Sequence, residues 1–154
     1  MVELKVAASY VRRYRDYCGA WTRRLGTVRA IASSGSIAAW ALWREYAFLW
    51  AAIIATSQVA DALKDVFPFA KIQKSAGEHT TSLTGIFIDA QLEWEKIYSG
   101  CYTDEEIMER RHRLMKLQHE SESQSFPDGL QFRDGLFALA QQEAQDYFTT
   151  TYGV

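Results

Sequence analysis

Two uncharged runs, Ala30-Ile-Ala-Ser-Ser-Gly-Ser-Ile-Ala-Ala-Trp-Ala-Leu-Trp43 and Tyr46-Ala-Phe-Leu-Trp-Ala-Ala-Ile-Ile-Ala-Thr-Ser-Gln-Val-Ala60, decide the fold of this chain. They hold 14 and 15 residues, and only Arg44-Glu45 separates them. Neither run alternates polar and apolar residues at a helical period, so each helix would be apolar on every side, as in a core or in lipid. Each covers about 21 to 23 Å, against a hydrocarbon core of about 30 Å. The pattern predicts either two short membrane spans completed by flanking residues or a helical hairpin buried in a soluble bundle.

Three features of this predicted hairpin, residues 25–67, favour lipid. Aromatic residues surround its turn, as they do at a membrane–water interface: Trp40, Trp43, Tyr46 and Trp50. Small residues form a surface suited to close helix packing: Ser33, Gly35, Ser36 and Ala39. The turn holds a single arginine, Arg44. Several cations flank the two runs on their outer sides: Arg23, Arg24, Arg29, Lys64, Lys71 and Lys74. The positive-inside rule therefore predicts a hairpin in the cell inner membrane with both termini in the cytoplasm.

The preceding segment, residues 1–24, is predicted to be a basic amphipathic helix. Apolar and aromatic residues recur every three or four positions from Ala7 onward, which keeps them on one side of a helix. Residues 1–29 carry a net charge of +5, although the whole chain carries −2. The basic face comprises Arg12, Arg13, Arg23 and Arg24. Such a helix either packs onto its own domain or lies on anionic lipid; direct nucleic-acid binding is not expected, because no known reader motif accompanies the arginines.

Residues 68–154 are predicted to form cytoplasmic helices. One helix ends at Ser99-Gly100, the capping box Thr103-Asp-Glu-Glu106 begins another, and Phe126-Pro-Asp-Gly129 forms a turn before the last. The sequence holds 2 Pro and no Asn, which disfavours proteins built from β-hairpins. We therefore expect an all-α fold, with an N-terminal amphipathic helix, a two-helix apolar hairpin and C-terminal cytoplasmic helices.

Residues suited to catalysis or metal binding are sparse. Glu109-Arg-Arg-His112 is a single Glu-x-x-His pair, whereas di-iron bundles need two such pairs and further carboxylates. Cys18 and Cys101 show neither a disulfide framework nor a zinc spacing, and His79 stands alone in a polar run. We expect no enzyme activity, no metal and no cofactor.

The order of a basic helix, two short spans and a helical tail resembles the SLATT families, two-transmembrane effectors of bacterial conflict systems. The likeness rests on Tyr14-Arg-Asp-Tyr17, Trp21-Thr-Arg-Arg-Leu25, Asp61-Ala-Leu-Lys-Asp-Val-Phe-Pro-Phe69 and Leu92-Glu-Trp-Glu-Lys96. The resemblance implies a membrane-perturbing or pore-forming toxin of an anti-phage (antiviral defence, abortive infection) system. A sensor protein or ribonucleoprotein encoded alongside, as in retron or nucleotide-signalling systems, would keep it inactive, and the effector would form homo-oligomers. The alternative is a soluble all-α adaptor or interaction module with a buried apolar hairpin.

Overall fold

A computed structural model describes residues 1–42, 48, 51–52, 55–56, 58–59, 62 and 68–153, with the side chains of 31–42 excepted. Within this described part the chain forms four delimited α-helices and no strand, so the expected all-α class is confirmed. The helices are α1 (Val2–Leu42), α2 (Phe69–Tyr98), α3 (Asp104–Ser125) and α4 (Asp134–Tyr152).

Helix α1 continues without a break through the predicted boundary between residues 24 and 25. Its 41 residues correspond to a length of about 62 Å. The prolines lie elsewhere, at Pro68 and Pro127, so no residue inside α1 removes a backbone donor. The basic amphipathic helix and the first apolar run are therefore one secondary-structure element.

The chain divides into two compact units, Met1–Arg15 with Lys74–Val154, and Asp16–Gln73. We call the first the terminal bundle and the second the middle unit. This division differs from the predicted segments 1–24, 25–67 and 68–154, because the start of α1 groups with the C-terminal helices. The amphipathic stripe of α1 explains the grouping, since its first residues need an apolar surface to cover them.

The terminal bundle has a core to which all four helices contribute. Leu4, Ile86, Phe87 and Ala90 are buried together, and partly buried Met1, Leu114, Tyr147 and Phe148 pack against them. Lys5 places its Nζ 5.2 Å from the Phe87 ring centroid and 4.0 Å from the Tyr147 centroid, which are cation–π distances.

Paired contacts along the helices fix their directions in this bundle. Arg110 on α3 donates to Glu93 on α2 at 2.6 Å, and farther along α3 Ser121 pairs with His79, so the two helices are antiparallel. Near its end α4 reaches Lys5 through Tyr147, and earlier it reaches Arg12, so α4 is antiparallel to α1.

The predicted signals at the ends of helices are confirmed. The Thr103 side chain accepts from the Glu106 amide while the Glu106 carboxylate accepts from the Thr103 amide, completing the capping box. Gly100 and Gly129 have φ of 73° and 78°, a left-handed conformation that glycine adopts without a steric penalty. These turns set where α2 ends and where the connection between α3 and α4 reverses.

Replacing Thr103 with Ala should lower the free energy of unfolding by about 1 kcal/mol, because the Glu106 amide in the first turn of α3 loses its acceptor. Thr81→Ala is the matched control, since the Thr81 hydroxyl bonds only back to its own helix, at Gly77. Urea unfolding of both variants checks the difference; equal midpoints would mean that the cap contributes nothing.

Candidate functional site

The described residues of the second apolar run are helical and exposed. Phe48 is 88% exposed and Val59 is 59% exposed, and Ala52 and Ala55 are exposed as well. Positions 48, 52, 55 and 59 recur at helical spacing and so share one side of a helix. We call these four residues the exposed stripe. Exposed apolar residues that share one side of a helix are typical of a region that lipid or another protein covers.

The predicted hairpin residues are only partly within the described chain. Ser33, Gly35, Ser36, Ala39 and Trp40 lie in the helical backbone of α1, whereas their side chains are outside the description. The remaining predicted interfacial aromatics, Trp43, Tyr46 and Trp50, lie outside it altogether. The packing and interfacial roles of all these residues stay predictions.

Among the described residues, no helix combines the length and apolarity needed to cross a membrane. About half of the run from Tyr46 to Ala60 lies outside the described residues.

An aromatic cluster in the middle unit joins α1 to the start of α2. Trp21 stacks on Phe69 with ring centroids 6.2 Å apart, Tyr17 meets the Trp21 ring edge-on at 6.4 Å, and Arg24 lies over Trp21 at 5.6 Å. We call these four residues the Trp21 cluster. In sequence, these residues precede the first apolar run and follow the second. The sequence feature that could have predicted this cluster is a Trp before the first apolar run and a Phe after the second.

Gly19 lets the start of α2 approach α1 closely within the middle unit. A Cβ at this position would lie 2.9 Å from the side-chain Nε2 of Gln73 and 3.4 Å from a guanidinium nitrogen of Arg23. A larger side chain would have to displace Gln73, whose flexible end makes a small shift possible.

The predicted basic face separates into two pairs with different surroundings. Arg13 donates to a Glu143 oxygen at 2.9 Å, and Arg12 bonds the other oxygen, which also accepts from Ser9 at 3.0 Å. Burial of Glu143 opposes its ionisation, but the hydrogen bonds from Arg12, Ser9 and Arg13 outweigh burial and lower its pKa. Arg12 and Arg13 therefore attach α1 to α4 inside the terminal bundle. For this pair, the basic helix packs onto its own domain, which is the first of the two alternatives given by the sequence.

The other pair, Arg23 and Arg24, is exposed on the middle unit. Exposed guanidinium groups beside an aromatic cluster match the chemistry of a lipid–water interface, where arginine meets phosphate and tryptophan sits among the headgroups. The lipid-facing role of these two arginines stays a prediction.

Substituting the two pairs separately should give different results. Arg23→Gln with Arg24→Gln should weaken binding to anionic vesicles about 30-fold, since each basic residue near such a surface contributes about 1 kcal/mol. The loss should be larger at low salt, where screening is least. Arg12→Gln with Arg13→Gln removes the same charge but should instead lower the free energy of unfolding by about 1 kcal/mol. Vesicle sedimentation and thermal unfolding distinguish the pairs, and an equal vesicle-binding loss for both would contradict the division.

His79, which stands alone in a polar run of the sequence, has a structural role in the terminal bundle. It is 3% exposed, its Nδ1 lies 2.8 Å from the Ser121 Oγ, and its ring meets Phe126 edge-on at 5.6 Å. Burial lowers the pKa of His79 from its ordinary value of 6.5, and this outweighs the opposing effects of the Glu122 charge and of hydrogen bonding at Ser121. The folded bundle therefore favours neutral His79.

The lowered pKa of His79 predicts acid sensitivity of the terminal bundle. The unfolded chain takes up this proton as the pH falls through 6.5, before the folded state does, so stability is complete above pH 6.5 and decreases below it. The thermal midpoint should drop between pH 7.5 and 5.5, a range well above the region where carboxylates titrate. His79→Gln should remove most of that drop, whereas exposed His112→Gln should leave it intact. An unchanged slope in His79→Gln would contradict the assignment.

No described group of three or more His, Cys, Asp or Glu side chains is arranged to hold a metal ion. Comparisons with known proteins found no matching protein family, no matching curated protein and no matching solved structure.

Proposed function

We propose that this protein is a membrane-attached effector whose hairpin, residues 25–67, enters the inner membrane and compromises it when a restraining partner releases the terminal bundle. The exposed stripe carries the proposal. Phe48 and Val59 belong to a run of 15 uncharged residues, and the described side chains of that run are open to their surroundings. Burying apolar area releases about 25 cal/mol per Å², so this surface favours an apolar environment.

The flanks of the hairpin favour lipid over a protein partner as that environment. Exposed cations lie before the first run and after the second: Arg23, Arg24, Arg29, Lys71 and Lys74. The Trp21 cluster adds the aromatic component of a membrane interface on the same sequence flanks. The positive-inside rule places these flanking cations in the cytoplasm. Both termini, and so both segments of the terminal bundle, are then cytoplasmic.

The proposed restraint acts through the surface of the terminal bundle. Helix α3 has no fully buried residue and exposes Met108 and Met115, which are 65% and 57% exposed. Exposed methionines adapt to varied apolar partners. This surface suits the sensor protein or ribonucleoprotein that the effector interpretation requires, and it also supports the second candidate, a soluble adaptor that binds partners through the bundle.

Expression of the chain alone in bacteria, followed by a membrane-potential dye and by fractionation, tests the proposal. We expect loss of polarisation, arrested growth and protein that only detergent extracts from the membrane fraction. Normal growth and polarisation, with the intact protein present at the membrane, would overturn the effector activity. Recovery in the soluble fraction without detergent would instead favour the adaptor.

A further inference from the structure

A cleft of about 470 Å³ runs along one side of α1 in the terminal bundle. Helix α1 is covered by α2 through its contacts at Leu4 and Lys5, and α4 holds it at Ser9 and Arg12. The side that remains open carries Val2, Val6 and Tyr10 at successive four-residue intervals, with α3 and α4 as the walls. A volume of this size lies in the range of small-molecule sites.

The floor and one end of this cleft are aromatic. The rings of Tyr10, Phe132 and Phe137 pack on one another with centroids 5.2 to 6.1 Å apart, and Phe132 remains 59% exposed. Phe126 lines the α3 side, where His79 meets it edge-on. Aromatic walls favour flat apolar groups, and ring faces also attract cations.

The charged residues in the lining are all acidic. Glu3 lies on α1 and Glu122 on α3, and no Lys or Arg lines the cleft. Within the described chain neither carboxylate has an ion-pair partner, unlike Glu93 and Glu143, which are both paired. The cleft thus offers negative charge and ring faces to an occupant, and this combination disfavours anions such as nucleotides.

We propose that this cleft binds a small organic cation, a molecule with an apolar body about one aromatic ring wide and a single protonated amine or quaternary ammonium. The apolar body lies on Val6 and the aromatic floor, and the ammonium group lies between Glu3 and Glu122. Gln118 and Gln141, which also line the cleft, supply neutral hydrogen-bonding groups near its walls. The site belongs to the terminal bundle alone and does not depend on the membrane proposal.

Three probes with one shared body test the proposal: 4-phenylbutylamine as cation, 4-phenylbutanol as neutral analogue and 4-phenylbutyrate as anion. Binding is measured by saturation-transfer NMR on the full chain in discs of zwitterionic lipid, with empty discs subtracted. We expect the amine to bind about fivefold more tightly than the alcohol, the effect of one exposed ion pair, and the carboxylate to bind most weakly.

Variants assign this preference to the cleft. Glu3→Gln with Glu122→Gln keeps side-chain shape and should abolish the amine preference while the alcohol still binds. Glu109→Gln, an exposed position on α3 outside the lining, should leave it unchanged. Val6→Trp should fill the cleft and prevent binding of all three probes. An amine preference that survives the double substitution, or no amine binding to the unmodified chain, would overturn the proposal.

Discussion

Replacing Ala55 with Arg should abolish the proposed membrane attachment and the proposed toxicity of the protein. Ala55 is an exposed residue of the stripe, in the second half of the uncharged run from Tyr46 to Ala60. Arginine near the centre of a membrane helix costs about 2.5 to 3.5 kcal/mol on insertion scales, which corresponds to at least a 70-fold change in the insertion equilibrium. Alkaline extraction of membranes, with the membrane-potential dye read in parallel, measures both effects.

The matched control for this substitution is Ala138→Arg, which introduces the same side chain at an exposed position of α4. A surface substitution of this kind changes stability by no more than about 0.5 kcal/mol, so membrane attachment and toxicity should persist. If Ala55→Arg behaves like Ala138→Arg, the stripe faces water, and the membrane proposal fails.

Replacing Leu83 with Ala should destabilise the terminal bundle by about 2 to 5 kcal/mol. Leu83 is 1% exposed and is one of the two largest side chains in the described chain that are fully buried. Its truncation removes buried methyl groups and leaves a cavity that the neighbouring helices fill only in part. Hydrogen exchange of the α2 amides in the full chain should accelerate by one to several orders of magnitude, because opening of the bundle becomes easier.

Leu92→Ala provides the control for this loss, since it changes the same residue type on the same helix. Leu92 is 51% exposed, so its truncation removes little buried area and should cost less than about 1 kcal/mol. Equal exchange rates in the two variants would mean that the buried side of α2 has been misassigned.

The helix ends could be predicted from the sequence, because interactions between residues close in sequence determine them. The capping box at Thr103, the end of α2 before Gly100 and the turn at Gly129 depend on residues within a few positions of one another. The length of α1 was harder to predict, because its amphipathic and apolar halves suggested two elements although no residue interrupts the helix.

Contacts between distant residues could not be predicted in the same way. Glu143 meets Arg12 across 131 positions, and Ser121 meets His79 across 42. Nothing in the spacing of a lone histidine indicates that it will be buried, and nothing in an arginine pair indicates whether its counter-ion is lipid or a distant glutamate. The cleft was equally hard to predict, since its lining comes from all four helices and the connection between α3 and α4.

The pairing of Arg12 with Glu143 also sets the order of events during synthesis. The ribosome must add 131 further residues after Arg12 before this partner exists. At 5 to 20 residues per second the delay is roughly 7 to 26 seconds. The first turns of α1 therefore emerge, and the two apolar runs after them, while Ser9, Arg12 and Arg13 still lack the acceptor that attaches them to α4. A ribosome stalled before α4 would leave Arg12 and Arg13 without their glutamate partner. This contact between α1 and α4 can therefore form only after translation has passed Glu143.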